Sequence, residues 1–84
     1  MLFTVRLEPR AEKELKRLPL DIQNRIGENL RIIATSPYSG KKLKGELTGY
    51  YSYRAWPYRI VYQILNHELF VIVIRIGHRQ GVYK

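Results

Sequence analysis

The sequence has no cysteine and few histidines, and both absences restrict the chemistry it can support. With Cys 0 in 84 residues, disulfides, thiolate metal sites and a cysteine nucleophile are excluded. The two isolated histidines, His67 and His78, do not have the spacing of a zinc site. We therefore expect no metal and no other cofactor.

Long apolar runs are also missing. The longest, LFVIVI at 69–74, is far shorter than the ~20 residues that span a membrane. Charge appears by Arg6, so the N-terminus has no signal-peptide pattern. The length fits one domain, 1–84, and we expect a cytoplasmic protein without a membrane partner.

Acidic residues are scarce and unevenly placed. Lys+Arg number 15 against Asp+Glu 7, for a net charge of +8, and after Glu46 the only acid is Glu68. The cations that follow Glu46 are Arg54, Arg59, Arg75, Arg79 and Lys84. This imbalance favours a polyanion or an acidic protein as partner, with simple solubility as the alternative.

The first half of the chain predicts a strand followed by two helices. Residues 2–8 alternate apolar and polar, as a half-buried strand does. Apolar residues then recur at spacings of 3 and 4 over 9–18 and 21–34, which predicts two amphipathic helices separated at Pro19. Such a helical hairpin needs a sheet to cover its apolar stripe.

The second half predicts that sheet. Residues 39–49 read as a basic loop punctuated by glycine, and strands are predicted over 50–56, 58–65 and 69–76. The last two carry apolar residues on both faces and should be central. The fold class is therefore α+β in the order βααβββ, a helical hairpin packed on a small, mostly antiparallel sheet.

Two arginines interrupt the neighbouring apolar strands. Arg54 and Arg59 flank the short connection AWPY, so they should lie near one end of the sheet. Because arginine stays charged everywhere in a protein, this placement suits an anion, and the pair forms a candidate phosphate clamp. The alternative is that each reaches solvent from a strand end, or that Arg59 pairs with Glu46.

The C-terminal segment gathers further groups that can bind an anion, move a proton or stack on a base. Gly77 lets the chain bend off the last strand, so His78 and Arg79 could turn back over the sheet. Histidine is the side chain whose ordinary pKa lies nearest neutrality, which suits proton transfer, although an isolated histidine such as His78 can equally be structural. Tyr83 could stack on a base, handle a proton or simply pack.

The loop sequence KKLK supplies a third cationic group. Lys41, Lys42 and Lys44 are candidate contacts for RNA or DNA phosphates, or simply a solvated loop surface.

Two sequence blocks in the second half of the chain resemble the RelE family of toxins from type II toxin–antitoxin systems. The similarity rests on LKGELTGYYSYRAWPYRIVYQI (43–64) followed by VIVIRIGHRQGVY (71–83), and extends to EPRAEKELKRLP (8–19) and SPYSGKKLKG (36–45). It covers almost the whole chain.

The resemblance implies a microbial-RNase-like domain that enters the ribosomal A site and cuts messenger RNA there without a metal. Position by position, it implies that Arg54 and Arg59 hold the scissile phosphate and that Arg79 stabilises charge or protonates the leaving group. Tyr83 would stack on the nucleotide, and His78 lies where relatives vary between histidine and other basic residues. Some members carry a lysine two residues before Arg54, where this chain has Ser52, so the general base stays open.

The resemblance also implies binding partners and leaves two alternative functions to consider. The expected partners are an acidic, RelB-like antitoxin, the ribosome with its message, and operator DNA bound by the toxin–antitoxin complex. Two alternatives stay open. One is a non-enzymatic inhibitor of DNA gyrase like the related ParE toxins, and the other is an inactive relative that only binds its antitoxin.

Overall fold

The computed structural model describes residues 2–78, and its first half contains the two predicted helices. Strand β1 spans Thr4–Leu7, α1 spans Pro9–Lys16 and α2 spans Leu20–Thr35. Pro9 begins α1, where its missing N–H is not needed because the first amides of a helix have no intrahelical partner. No described helix is both long and apolar enough to cross a bilayer.

The second half forms the sheet. Its strands are β2 (Lys41–Lys42), β3 (Tyr50–Ala55), β4 (Tyr58–Leu65) and β5 (Phe70–His78), with short 3-10 turns at Pro37–Ser39 and Gly45–Leu47.

The five strands lie in the order β1-β5-β4-β3-β2, and only the β1–β5 pair is parallel. The predicted α+β fold with a mostly antiparallel sheet and central last strands is confirmed. The sheet has one strand more than predicted, because β2 lies within the segment read as a loop.

The helices cover one face of the sheet, and the main core lies between the two layers. Ile26 and Ile33 of α2 are fully buried against a cluster of sheet residues that includes Ala55, Ile60 and Tyr62. Because successive side chains of a strand point to opposite faces, this cluster fixes which residues of β3 and β4 face the helices and which face away.

A side chain of α1 completes the edge of β5 that β1 leaves open. Strand β1 pairs only with Phe70–Val73, so the second half of β5 extends beyond it. There a carboxylate oxygen of Glu14 accepts a hydrogen bond from the Ile76 amide at 2.9 Å, and the other accepts one from Arg75 Nε at 3.0 Å. Helix α1 thereby protects an edge that would otherwise expose an unpaired amide.

Candidate nucleic-acid interface

Arg54 and Arg59 are direct cross-strand neighbours. They oppose each other in the β3–β4 register, one pair before the closing pair Ala55 and Tyr58. Ala55 and Ile60 belong to the helix-side core, so alternation puts both arginines on the face that points away from the helices. The two side chains therefore leave the sheet side by side, with Cβ atoms about 5 Å apart.

These arginines line an open groove of about 410 Å³ on that face. Its lining residues are Lys41, Leu43, Lys44, Leu47, Ser52, Arg54 and Arg59. A second depression of about 250 Å³ shares four of them, Lys41, Ser52, Arg54 and Arg59. No carboxylate lines either depression, so the described wall carries charge of one sign.

The four groove cations, Lys41, Lys44, Arg54 and Arg59, have no acidic partner within residues 2–78. The ion pairs of that part of the chain join glutamates of α1 and α2 to other cations: Arg10–Glu14, Lys16–Glu12, Arg31–Glu28 and Arg75–Glu14. The alternative in which Arg59 pairs with Glu46 is therefore not observed. An uncompensated group of four cations is an electrostatic site for a polyanion.

The loop that carries the lysines is held against β3 by strand pairing and by a buried hydrogen bond. Lys41 pairs with Ser52 across the β2–β3 ladder, which brings it to the face of the arginines. Behind it, the buried Tyr62 hydroxyl donates a hydrogen bond to Pro37 O at 2.6 Å. Gly40 passes so close to this hydroxyl that a Cβ there would collide with it, and would also make a tight contact with Ser52 O. The lysine side of the groove is thus anchored to the central strand.

Two of the predicted site residues lie elsewhere. Lys42 pairs with Tyr51, whose ring is in the helix-side core, so Lys42 leaves the sheet on the opposite face from Lys41. His78 pairs with Tyr58 and contacts its ring edge-to-face, with ring centroids 6.2 Å apart. The structure therefore does not bring Lys42 or His78 to the face of Arg54 and Arg59.

Arg79 and Tyr83 lie outside the described residues, so their predicted roles stay predictions. Gly77, which precedes them, pairs with Arg59 on β4. The backbone entering this segment therefore lies beside the arginine pair.

Comparison with known proteins decides the family. A family model described as the ParE toxin of type II toxin–antitoxin systems, parDE, matches residues 5–83. The chain is a RelE/ParE-family toxin. It is 33% identical to toxin RelG of Mycobacterium tuberculosis, over 100% of this chain and 99% of that protein. It is 29% identical to the mRNA interferase toxin RelE of Escherichia coli strain K12, over 95% of this chain and 86% of that one.

Solved structures of RelE toxins share the fold. The toxin–antitoxin complex RelBE2 from Mycobacterium tuberculosis matches with a TM-score of 0.87 and 32% identity, over 94% of this chain and 100% of that one. The intact RelBE toxin–antitoxin complex of Escherichia coli matches with a TM-score of 0.77 and 28% identity, over 90% and 95%. The predicted RelE-family membership is confirmed.

The groove of this RelE/ParE toxin also contains residues that sequence reasoning missed. Leu43 and Leu47 line it between the cations and are half-buried. The signal was present as two leucines inside an otherwise polar, glycine-punctuated loop, where no helix or strand pattern explained them. They give the groove an apolar wall beside its charges.

This combination of groups suits part of a nucleic-acid strand. Guanidinium and ammonium groups bind phosphate oxygens, guanidinium often through two parallel hydrogen bonds. An apolar wall offers contact area to a sugar or a base edge, which a purely cationic surface lacks. Cationic and apolar side chains therefore line one groove together at the β2–β3–β4 side of the sheet.

Proposed function

We propose that this toxin is a ribosome-dependent endoribonuclease that cuts messenger RNA in the ribosomal A site and acts in the cytoplasm. The observation that supports this most is the Arg54–Arg59 pair, two adjacent cations in a groove without acids. The name mRNA interferase, carried by the Escherichia coli relative, supports the same assignment.

The proposed reaction is transfer of the phosphodiester to the neighbouring ribose oxygen. The 2′-OH loses its proton and attacks phosphorus in line, and the bond from phosphorus to O5′ breaks. The O5′ takes up a proton, which leaves a 2′,3′-cyclic phosphate and a free 5′-OH. Extra negative charge develops on the phosphoryl oxygens during attack, where Arg54 and Arg59 would stabilise it.

Proton transfer requires another group, because an arginine keeps its protons throughout. His78 leaves the sheet on the helix side with Tyr58, away from the arginine pair. We therefore assign proton transfer to Tyr83, the remaining titratable candidate, and charge stabilisation jointly to Arg79. Lys41 and Lys44 would hold flanking phosphates, whereas Lys42 would not.

The test is to map new 5′ ends on translated and untranslated messages in a translating extract. Cleavage should depend on translation, and Arg54→Ala or Arg59→Ala should lower its rate by about 10²–10³-fold. Tyr83→Phe should also lower it, whereas His78→Ala should not. Arg31→Ala is the matched control, since Arg31 is an exposed arginine of α2 paired only with Glu28 among the described residues. The proposal fails if no cleavage appears, or if Arg59→Ala cuts as well as the parent.

The partners follow from the same assignment. The related RelBE structures are toxin–antitoxin complexes, and we propose that an acidic, RelB-like antitoxin neutralises this toxin by covering its basic surface. Such a segment would fold on binding, driven by apolar burial and charge complementarity. The complex would also bind operator DNA.

A second function is favoured by the family model, which carries the ParE description. A gyrase inhibitor would block supercoiling by purified gyrase and leave messages intact, so a supercoiling assay separates the two. An inactive relative that only binds its antitoxin would do neither, and it would not arrest growth when expressed alone.

A further inference from the structure

The hairpin that carries Arg54 and Arg59 contains an unfavourable arrangement. The two cations oppose each other directly, and only the pair Ala55–Tyr58 and the residues Trp56 and Pro57 close the turn beyond them. Like charges placed directly opposite in an antiparallel ladder repel and destabilise the pairing. Some other contact must keep this end of the hairpin closed.

Arg25 of α2 supplies such a contact from the helix layer. Its Nη2 donates a hydrogen bond to Trp56 O at 2.6 Å and a longer one to Ala55 O at 3.3 Å. One acceptor lies in the turn and the other on the last residue of β3, and both are about 30 residues away from Arg25 along the chain. A charged donor makes a stronger hydrogen bond than a neutral one, and the planar guanidinium holds a fixed direction.

The helix that carries Arg25 is itself fixed. Ile26, the next residue, is fully buried in the core, and Ile22, one turn earlier, packs against it. The turn is therefore tied to the rigid layer of the molecule, not only to its own two strands. Arg25 approaches from the helix side, so it holds the hairpin without entering the groove on the far face.

We propose that Arg25 is a positioning residue, which closes the β3–β4 turn so that Arg54 and Arg59 stay in register and bind one phosphate between them. The catalytic part of this inference rests on the proposed nuclease function. Its binding part does not, because a closed hairpin is needed for any anion that both arginines grip.

The experiment compares Arg25→Ala and Arg25→Lys with the control Arg31→Ala, which removes the same charge from the same helix. Hydrogen exchange is followed at the amides of Tyr58 and Arg59. Binding is followed with a short single-stranded RNA whose 2′-OH groups are methylated, so that no 2′ oxygen can attack and the strand is not cut. Message cleavage on programmed ribosomes is measured below the melting temperature of every variant.

Arg25→Ala should speed exchange at the turn but not in β5, and should weaken RNA binding. It should lower kcat by about 10- to 100-fold, the effect of a misplaced catalytic group, with a smaller change in KM. Arg25→Lys should recover part of the loss, because an ammonium can still reach a carbonyl as a point charge. If Arg25→Ala does not fold, Arg25→Lys keeps the comparison possible, since it retains charge and length.

The outcomes separate the two proposals. If the parent protein cuts no message but Arg25→Ala still shows faster exchange and weaker RNA binding, the nuclease function is refuted and the positioning role remains. Exchange, binding and kcat that match those of Arg31→Ala would overturn the positioning role. Uniformly faster exchange across all strands would overturn it as well, because Arg25 would then stabilise the fold as a whole.

Discussion

Tyr62 is the buried polar residue on which the shape of the groove depends. It has no exposed surface, and its hydroxyl donates to Pro37 O. Burial raises the pKa of Tyr62 to about 12, because the charged phenolate would lose its hydration. An unfolded tyrosine titrates near 10, so this stabilising contribution is present below pH 10 and is lost as the pH rises to about 12.

Tyr62→Phe should remove this pH dependence. The free energy of unfolding of the parent should fall by about 2 kcal/mol more than that of the variant between pH 10 and 12, most of the roughly 3 kcal/mol that a pKa shift of two units implies in full. Urea unfolding at a series of pH values measures the free energy of unfolding of both proteins. Titration of the lysines and of the other tyrosines affects both equally, so it drops out of the difference between them. Parallel curves for the two proteins would contradict the prediction.

Arg54 shows a conflict between binding and stability at the residue scale. Because it faces Arg59 across the ladder, Arg54→Gln should raise the free energy of unfolding by about 0.2–1 kcal/mol while it weakens RNA binding. The gain should shrink at high salt, since exposed charges are screened. Thermal unfolding at low and high salt checks this, with Arg31→Gln as control. A variant that is destabilised at both salt concentrations would exclude repulsion between the arginines.

At the scale of elements, two glycines differ in whether the surrounding structure has room for a side chain. A Cβ on Gly40 would meet the Tyr62 hydroxyl and would lie 3.0 Å from Ser52 O, whereas a Cβ on Gly27 of α2 would meet nothing within 4 Å. Gly40→Ala should therefore displace the loop and cost about 1–3 kcal/mol. Gly27→Ala should stabilise the helix by about 1 kcal/mol through helix propensity.

Equilibrium urea unfolding of both variants measures this difference, and RNA binding gives a second readout. Gly40→Ala should also weaken RNA binding, because Lys41 follows it directly, while Gly27→Ala should leave binding unchanged. Equal stability changes in the two variants would show that the close approach at Gly40 is unimportant.

Elements with a repeating pattern were predictable, and single contacts between distant elements were not. Both helices and strands β1, β3, β4 and β5 follow from apolar periodicity and lie close to their predicted bounds. Strand β2 has two residues and shows no period. The contacts of Glu14 with Ile76 and of Arg25 with Trp56 join residues more than 30 positions apart, and no local pattern indicates them.

The candidate site was predictable where a short connection fixed the geometry. Arg54 and Arg59 flank one tight hairpin, so their proximity follows from the sequence. The face of the sheet on which the side chains of Lys42 and His78 lie depends on the strand register. A shift of one residue moves a side chain to the other face. The groove wall of Leu43 and Leu47 depends on the path of a loop, which composition does not determine.

At the scale of the whole molecule, the question is whether the net charge of +8 acts diffusely or through the groove. Each phosphate neutralised on a single strand contributes about −0.7 to the slope of log K against log salt. In our proposal Arg54 and Arg59 share one phosphate, and Lys41 and Lys44 hold flanking ones. The groove would then neutralise three phosphates and give a slope of about −2.1, whereas the whole excess charge would give about −5.6.

We expect a slope near −2.1 for binding of the uncut, 2′-O-methylated RNA strand, because the four groove cations lie together and form no ion pair within residues 2–78. Fluorescence anisotropy over a range of salt concentrations measures it. Lys41→Gln, which removes the cation of one flanking phosphate, should reduce the slope to about −1.4, the value for two phosphates, and Arg31→Gln should leave it unchanged. A slope near −5.6, or equal effects of the two substitutions, would mean that the overall charge attracts the strand and that the groove does not bind it.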